Sequence, residues 1–166
     1  MSHQTSNVSK LEQSHSITLL TFSSRKPFDA VVADFEKQLG RFDEAKAIAS
    51  GEKLQAAVNE MTGPSGLMII GALQMGRILP ALTSSPGKAV QYLVGNPLIA
   101  SEMAQQNILA ALYAPPRVLI YATEGRTWIS YDQPSDTFGR FSSPLIDETA
   151  RDLNDKFERL VKSALS

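Results

Sequence analysis

Two histidines, His3 and His15, and no cysteine make up the whole supply of imidazole and thiol in this 166-residue chain. That scarcity decides most of what its chemistry can be. A Ser-His-Asp hydrolase needs a histidine base beside its nucleophile, yet one histidine stands near the N-terminus and the other just before the first apolar run. Neither a G-x-S-x-G elbow nor a Walker loop occurs, and Gly63-Pro64-Ser65-Gly66 is short and turn-like. Zinc wants His and Cys at ligand spacing, and carboxylates alone suit harder metals. No catalytic residue, metal ligand or cofactor is therefore expected. Met61, Met68, Met75 and Met103 read as core filling rather than a soft-metal site.

The groups that remain are groups for binding. Tyr92, Tyr113, Tyr121 and Tyr131, with Trp128, are all the tyrosines and the only tryptophan of the chain. Each offers an apolar ring with a polar tip, so they could line a pocket; they could equally be sheet core and cross-strand pairs. Alternation puts Trp128 and Ser130 opposite Ile129 and Tyr131, so the five cannot share one cavity. Asn96 precedes Pro97 directly after a strand, where its side chain and the amides of Leu98 and Ile99 could hold a carboxylate or phosphate or simply cap a helix. Arg117 and Asp132 fall at the outer ends of two adjacent strands, to pair across them or to stand as charges at a pocket mouth. Acid-base chemistry by this couple and a tyrosine would need a desolvated carboxylate.

The elements that must position these groups are legible from periodicity and breakers. Ile17 to Phe22 reads as a strand, ended by Ser23 to Pro27. Phe28, Val31, Val32, Phe35 and Leu39 recur at helical spacing, with Pro27 in the first turn and Gly40 as the stop. Asp43 to Met61 divides into two short helices around Gly51, the second capped by Ser50. After the turn at 63–66, Leu67 to Leu73 is a continuous apolar strand, and its Gly71 marks a bulge or a close backbone approach. The rest of the stretch to Leu82 reads as a turn, because Gly76 and Pro80 punctuate it.

Ser84-Ser85-Pro86-Gly87 is a further turn, and Ala89 to Val94 a strand with Val90, Tyr92 and Val94 on one face. Asn96 to Asn107 follows as a helix with Ile99 and Met103 inward. Tyr113 to Pro116 leads into a central strand, Arg117 to Thr123, which turns at Glu124-Gly125 and returns as Arg126 to Asp132. Ser143 and Pro144 start a terminal helix along Ile146, Ala150, Leu153, Phe157, Leu160 and Ala164. No repeat of solenoid length occurs. This order predicts a single α+β domain over residues 15–166, with an antiparallel or mixed sheet of about five strands and helices chiefly on one face. Residues 1–14, polar and without an apolar h-region, read as a disordered tail.

Composition narrows the partners. Sixteen Lys and Arg against seventeen Asp and Glu leave no excess of positive charge to neutralise phosphates, so nucleic acid is not expected. The apolar run to Leu82 is interrupted by Gln74 and Arg77, so no membrane span is expected. A chain free of cysteine suits the reducing cytoplasm.

Gly66-Leu67-Met68-Ile69, the run Gln91 to Ala100 with its Gly-Asn-Pro helix start, Leu112-Tyr113-Ala114-Pro115-Pro116-Arg117-Val118 and Tyr131-Asp132-Gln133-Pro134-Ser135 together resemble the domain of unknown function family numbered 302, in its longer bacterial form. The likeness spans roughly Phe22 to Ala164. It implies a compact α+β fold similar to the TATA-binding-protein class, often a homodimer, with no established activity and no catalytic residue to carry over. Pro116 departs from the leucine expected there, and its missing N–H implies an incompletely paired strand start. The function expected is a non-catalytic binding module for a small, largely apolar ligand in a cavity between the sheet and the C-terminal helix. The alternatives are an acid-base enzyme using Asp132, Arg117 and a tyrosine, and a homo-oligomeric interaction subunit.

Overall fold

The computed structural model describes residues 8–82 and 87–166; the expected turn at Ser84 to Pro86, the N-terminal part of the tail and His3 lie outside them. Six strands form one mixed sheet in the order β1-β6-β5-β4-β3-β2, where β1 is Leu19–Ser24, β2 Gly40–Arg41, β3 Met68–Leu73, β4 Ala89–Gly95, β5 Arg117–Thr123 and β6 Arg126–Asp132. The helices are α1 (Phe28–Lys37), α2 (Glu44–Ala49), α3 (Leu54–Met61), α4 (Met75–Leu82), α5 (Pro97–Gln106), α6 (Pro134–Gly139) and α7 (Pro144–Leu165), with 3-10 turns at Gly51–Lys53 and Ile108–Leu112.

The core lies on one face of the sheet, under α1 and α7. Alternation along the strands turns Val90, Tyr92 and Val94 of β4, Val118 and Ile120 of β5, and Ile129 and Tyr131 of β6 towards Val31 and Phe35 of α1 and the apolar stripe of α7. That stripe is the one the helical spacing marks: Ile146, Ala150, Leu153, Phe157, Leu160 and Ala164 are all buried. Ser143 caps the helix by accepting the Ile146 N–H, and Pro144 occupies its first position. The buried Thr127 hydroxyl donates to the Lys26 carbonyl at 2.7 Å, tying the β1–α1 corner to β6.

On the opposite face α2 and α3 cover the β2–β3 edge, burying Met68 against Ala47 and Val58, whereas among the described residues no helix covers the part formed by β5, β6 and β1. Leu93, Leu119, Tyr121 and Trp128 are half-buried on this face, and Leu19 and Leu73 are exposed. Arg117 to Thr123 is indeed a central strand, between β4 and β6. The β5–β6 turn has Glu124 at φ 53° and Gly125 at φ 71°, the left-handed pair a type I′ hairpin requires. A bulge falls between Ile69 and Gly71, where β3 slips by one residue against β4.

Four local expectations differ from the structure. The sheet has a sixth strand, because Gly40 and Arg41 pair in parallel with Met68 and Ile69. Gly40 is thus part of a strand rather than a helix stop. It is glycine because a Cβ there would lie 1.7 Å from the Met61 carbonyl oxygen. Ser50 does not cap the helix after it; its hydroxyl donates back to Ala47 O, and the true cap in this region is Asp43, whose carboxylate accepts the Lys46 N–H. Residues 75–82 form α4 despite Pro80; two further elements, α6 and the turn at Ile108–Leu112, lie in stretches to which the sequence pattern assigns no element.

Candidate functional site

Ala114, Pro115 and Pro116 run between the 3-10 turn and β5 and have a cleft on either side. The larger, of about 560 Å³, is walled by Leu93, Leu112, Pro115, Pro116, Pro134 and Phe138, with Ile17, Tyr113, Arg117, Asp132 and Thr137 also facing it. The smaller, of about 240 Å³, lies between the end of the sheet, α5 and α7, and is almost wholly apolar: Ile70, Pro97, Ile99, Ala100, Met103 and Leu153, with Asn96 at its side. Small-molecule sites commonly span ~300 to 1,000 Å³, which the larger cleft satisfies.

The larger cleft is assembled from distant segments. Gln133 and Pro134 start α6, which packs on α7 through buried Phe138. The Ser135 N–H donates to Asn154 Oδ1 at 2.9 Å and the Asn154 amide donates to Ser135 Oγ at 2.8 Å, fixing that helix start. On the other side the chain before β1 is drawn in by Asp136. The Thr18 N–H donates to its carboxylate at 3.0 Å, and the His15 ring donates to its carbonyl at 2.6 Å.

The sequence-derived candidates divide by position. Tyr113, Arg117 and Asp132 meet at the larger cleft. The Tyr113 hydroxyl accepts from Arg140 Nη1 at 2.6 Å, while that guanidinium lies 4.0 Å from the ring centre. Arg117 and Asp132 are both exposed, and among the described residues no ion pair joins them. The cross-strand pair is replaced by two charges at one rim.

Asn96 borders the smaller cleft, where its side chain is already engaged. Its Oδ1 accepts the Leu98 N–H at 2.9 Å, and its Nδ2 donates to the Gly66 carbonyl at 3.1 Å. It is a cap and a tie between two loops, which leaves little of it for an anion.

Tyr92, Tyr121 and Tyr131 face neither cleft. Tyr92 lies in the core against Phe35, and its hydroxyl donates to Glu36 Oε1 at 2.7 Å; burial, then the Glu36 carboxylate, raises its pKa above the usual phenol value. Tyr131 packs between Phe22 and Phe157, and burial, then Glu158, pushes its phenol up to about 12. Tyr121 stacks on Trp128 across the hairpin on the uncovered face. The space between the sheet and the middle of α7 is thus filled by Phe35, Tyr92, Tyr131 and Phe157, so the expected cavity there shifts to the sheet's end.

Sequence reasoning missed Leu112, Pro134, Thr137 and Phe138. The signal available was Gln133-Pro134, a proline at a helix's first position with Asp136 in the first turn. Among the described residues no group of three or more His, Asp or Glu could hold a metal ion, and no helix is long and apolar enough to cross a membrane.

A family model described as domain of unknown function DUF302 matches residues 43–164, so β1 and α1 lie outside the match. No curated protein matches the sequence. Among solved structures the chain is similar to the crystal structure of an uncharacterized conserved protein DUF302 from Bacillus stearothermophilus. The two are 16% identical, with a TM-score of 0.64 over 88% of this chain and 97% of that one. At that identity the likeness is one of fold.

Proposed function

The chain belongs to the DUF302 family of domains of unknown function, and from that premise we propose that this member is a non-catalytic binding module for a small, largely apolar molecule. The observation that carries the reading is the pair of clefts flanking Ala114 to Pro116: one of about 560 Å³ whose lining is shared about equally by apolar and polar surface, and one of about 240 Å³ that is almost wholly apolar. Absence of any histidine among their lining residues, and the exposure of their one carboxylate, Asp132, argue against acid-base chemistry there. A net charge of −1 argues against nucleic acid as partner, and a cysteine-free chain suits the cytoplasm.

The test uses N-phenyl-1-naphthylamine, a neutral apolar fluorophore, titrated against the full chain. Saturable one-to-one binding is expected, weakened at least tenfold by Leu112→Glu and unaffected by Leu54→Glu. Both leucines are exposed, so neither change should disturb folding. Absence of saturable binding, or equal loss in both variants, would remove the reading.

A second reading, homodimerisation through the uncovered sheet face, is favoured by the half-buried Leu93, Leu119, Tyr121 and Trp128 beside exposed Leu19 and Leu73. Sedimentation velocity should then show a dimer that Leu19→Lys combined with Leu73→Lys dissociates. A monomer across the micromolar range would refute it.

A further inference from the structure

We propose that the ligand of the larger cleft is a zwitterion, a free α-amino acid with a large apolar side chain, whose carboxylate is held by Arg117 and whose ammonium is held by Asp132. The proposal rests on the cleft being a binding site, as argued above.

Its basis is the placing of two opposite charges. Val118 pairs with Tyr131 across β5 and β6, so Arg117 and Asp132, one step further towards the same end, are neighbours on adjacent strands. Leu93 stands opposite Arg117 across β4 and Leu19 opposite Asp132 across β1, which puts all four on the uncovered face. Within reach of each other, the two charges still make no ion pair, and among the described residues neither side chain makes a hydrogen bond elsewhere. Several cations elsewhere in the fold are engaged, among them Lys26 with Asp34, Arg41 with Glu36, Lys88 with Asp29, Arg126 with Ser23 and Arg140 with Tyr113. Arg117 and Asp132 are distinguished by lying side by side, unpaired, at the rim of a ligand-sized cleft.

The sign pattern selects the ligand. A simple anion at Arg117 would meet the repulsion of Asp132, and a simple cation at Asp132 would meet that of Arg117. A molecule whose carboxylate and ammonium share one carbon satisfies both. The planar guanidinium offers two parallel donors to a carboxylate, and the aspartate accepts from an ammonium. The side chain of the amino acid then enters between Leu93, Leu112 and Pro115, where burial of apolar surface supplies the affinity that exposed charges alone do not.

The experiment is calorimetric titration of the full chain with L-phenylalanine, L-phenylalaninamide, which lacks the carboxylate, and N-acetyl-L-phenylalanine, which lacks the ammonium. L-phenylalanine is expected to bind at least tenfold more tightly than either derivative. Arg117→Gln should reduce its affinity to that of the amide and leave the amide unchanged, and Asp132→Asn should reduce it to that of the acetyl compound. Equal binding of the three compounds, or equal weakening of all three by Arg117→Gln, overturns the zwitterion. If N-phenyl-1-naphthylamine binds while L-phenylalanine does not, the charge assignment falls and the cleft stands. If neither binds, both readings fall.

Discussion

Tyr92 and Tyr131 project from neighbouring parts of the same covered face, and each is almost fully buried, but only one hydroxyl is satisfied. Tyr92 donates to Glu36, whereas the Tyr131 hydroxyl has no partner among the described residues. A buried hydroxyl without a partner costs its desolvation, and one that is bonded returns roughly 1 kcal/mol. Tyr131→Phe should therefore leave stability at pH 7 unchanged or raise it by up to about 1 kcal/mol, while Tyr92→Phe lowers it by about 1 kcal/mol; urea midpoints at constant slope would show both. The pH dependence follows from the raised phenol of Tyr131. Its contribution is intact below the ordinary value of 10, is lost as pH rises through about 12, and disappears in Tyr131→Phe. Asp34 behaves in the opposite sense. Hydrogen bonding and then charge attraction from Lys26 hold its carboxyl below the ordinary 3.8, so its contribution is present above that value and lost in acid. Asp34→Asn should lose stability relative to the wild type at pH 6, and that gap should close as pH falls below 3.8.

At the scale of elements, the termini and turns carry more information than the interiors. Asn96 ends β4, starts α5 and holds the Gly66 loop with one side chain. Asn96→Ala removes both bonds and should cost about 1 to 2 kcal/mol, seen as a lower melting temperature, with binding at the larger cleft unchanged. Glu124 adopts φ 53° without a glycine's freedom. Asparagine tolerates that region and is preferred with glycine in this turn, so Glu124→Asn should stabilise the hairpin by up to about 1 kcal/mol, measured as a rise in urea midpoint.

Across the whole molecule, the main core joins α1, α7 and five of the six strands, while a smaller cluster of Ala47, Val58 and Met68 holds α2 and α3 near the short edge strand. The unequal size of these clusters predicts unequal protection. Amide exchange in α2 and α3 should be faster than in β4, β5 and β6, yet Trp128 fluorescence and circular dichroism should report one coincident unfolding transition. Equal protection in both regions would contradict the division.

Alternation, helical spacing and capping residues were enough to mark β4, the β5–β6 hairpin, the start of α5 at Asn96 and the length of α7, because each of those signals acts within about four residues of chain. The helix at 75–82 was hidden by Pro80, and β2 by being only two residues long, whose pairing with β3 is a matter of packing rather than propensity. The clefts were beyond local reasoning for the same cause. Residues as far apart as Ile17, Leu93, Arg117 and Phe138 converge only once Asp136 has drawn in the chain before β1 and α6 has packed on α7. Residue types determined which groups could bind and which chemistry was absent. Only tertiary packing decided that Tyr92 and Tyr131 belong to the core, because strand alternation assigns a side chain to a face, whereas the helices laid across that face determine whether it meets a ligand or Phe35 and Phe157.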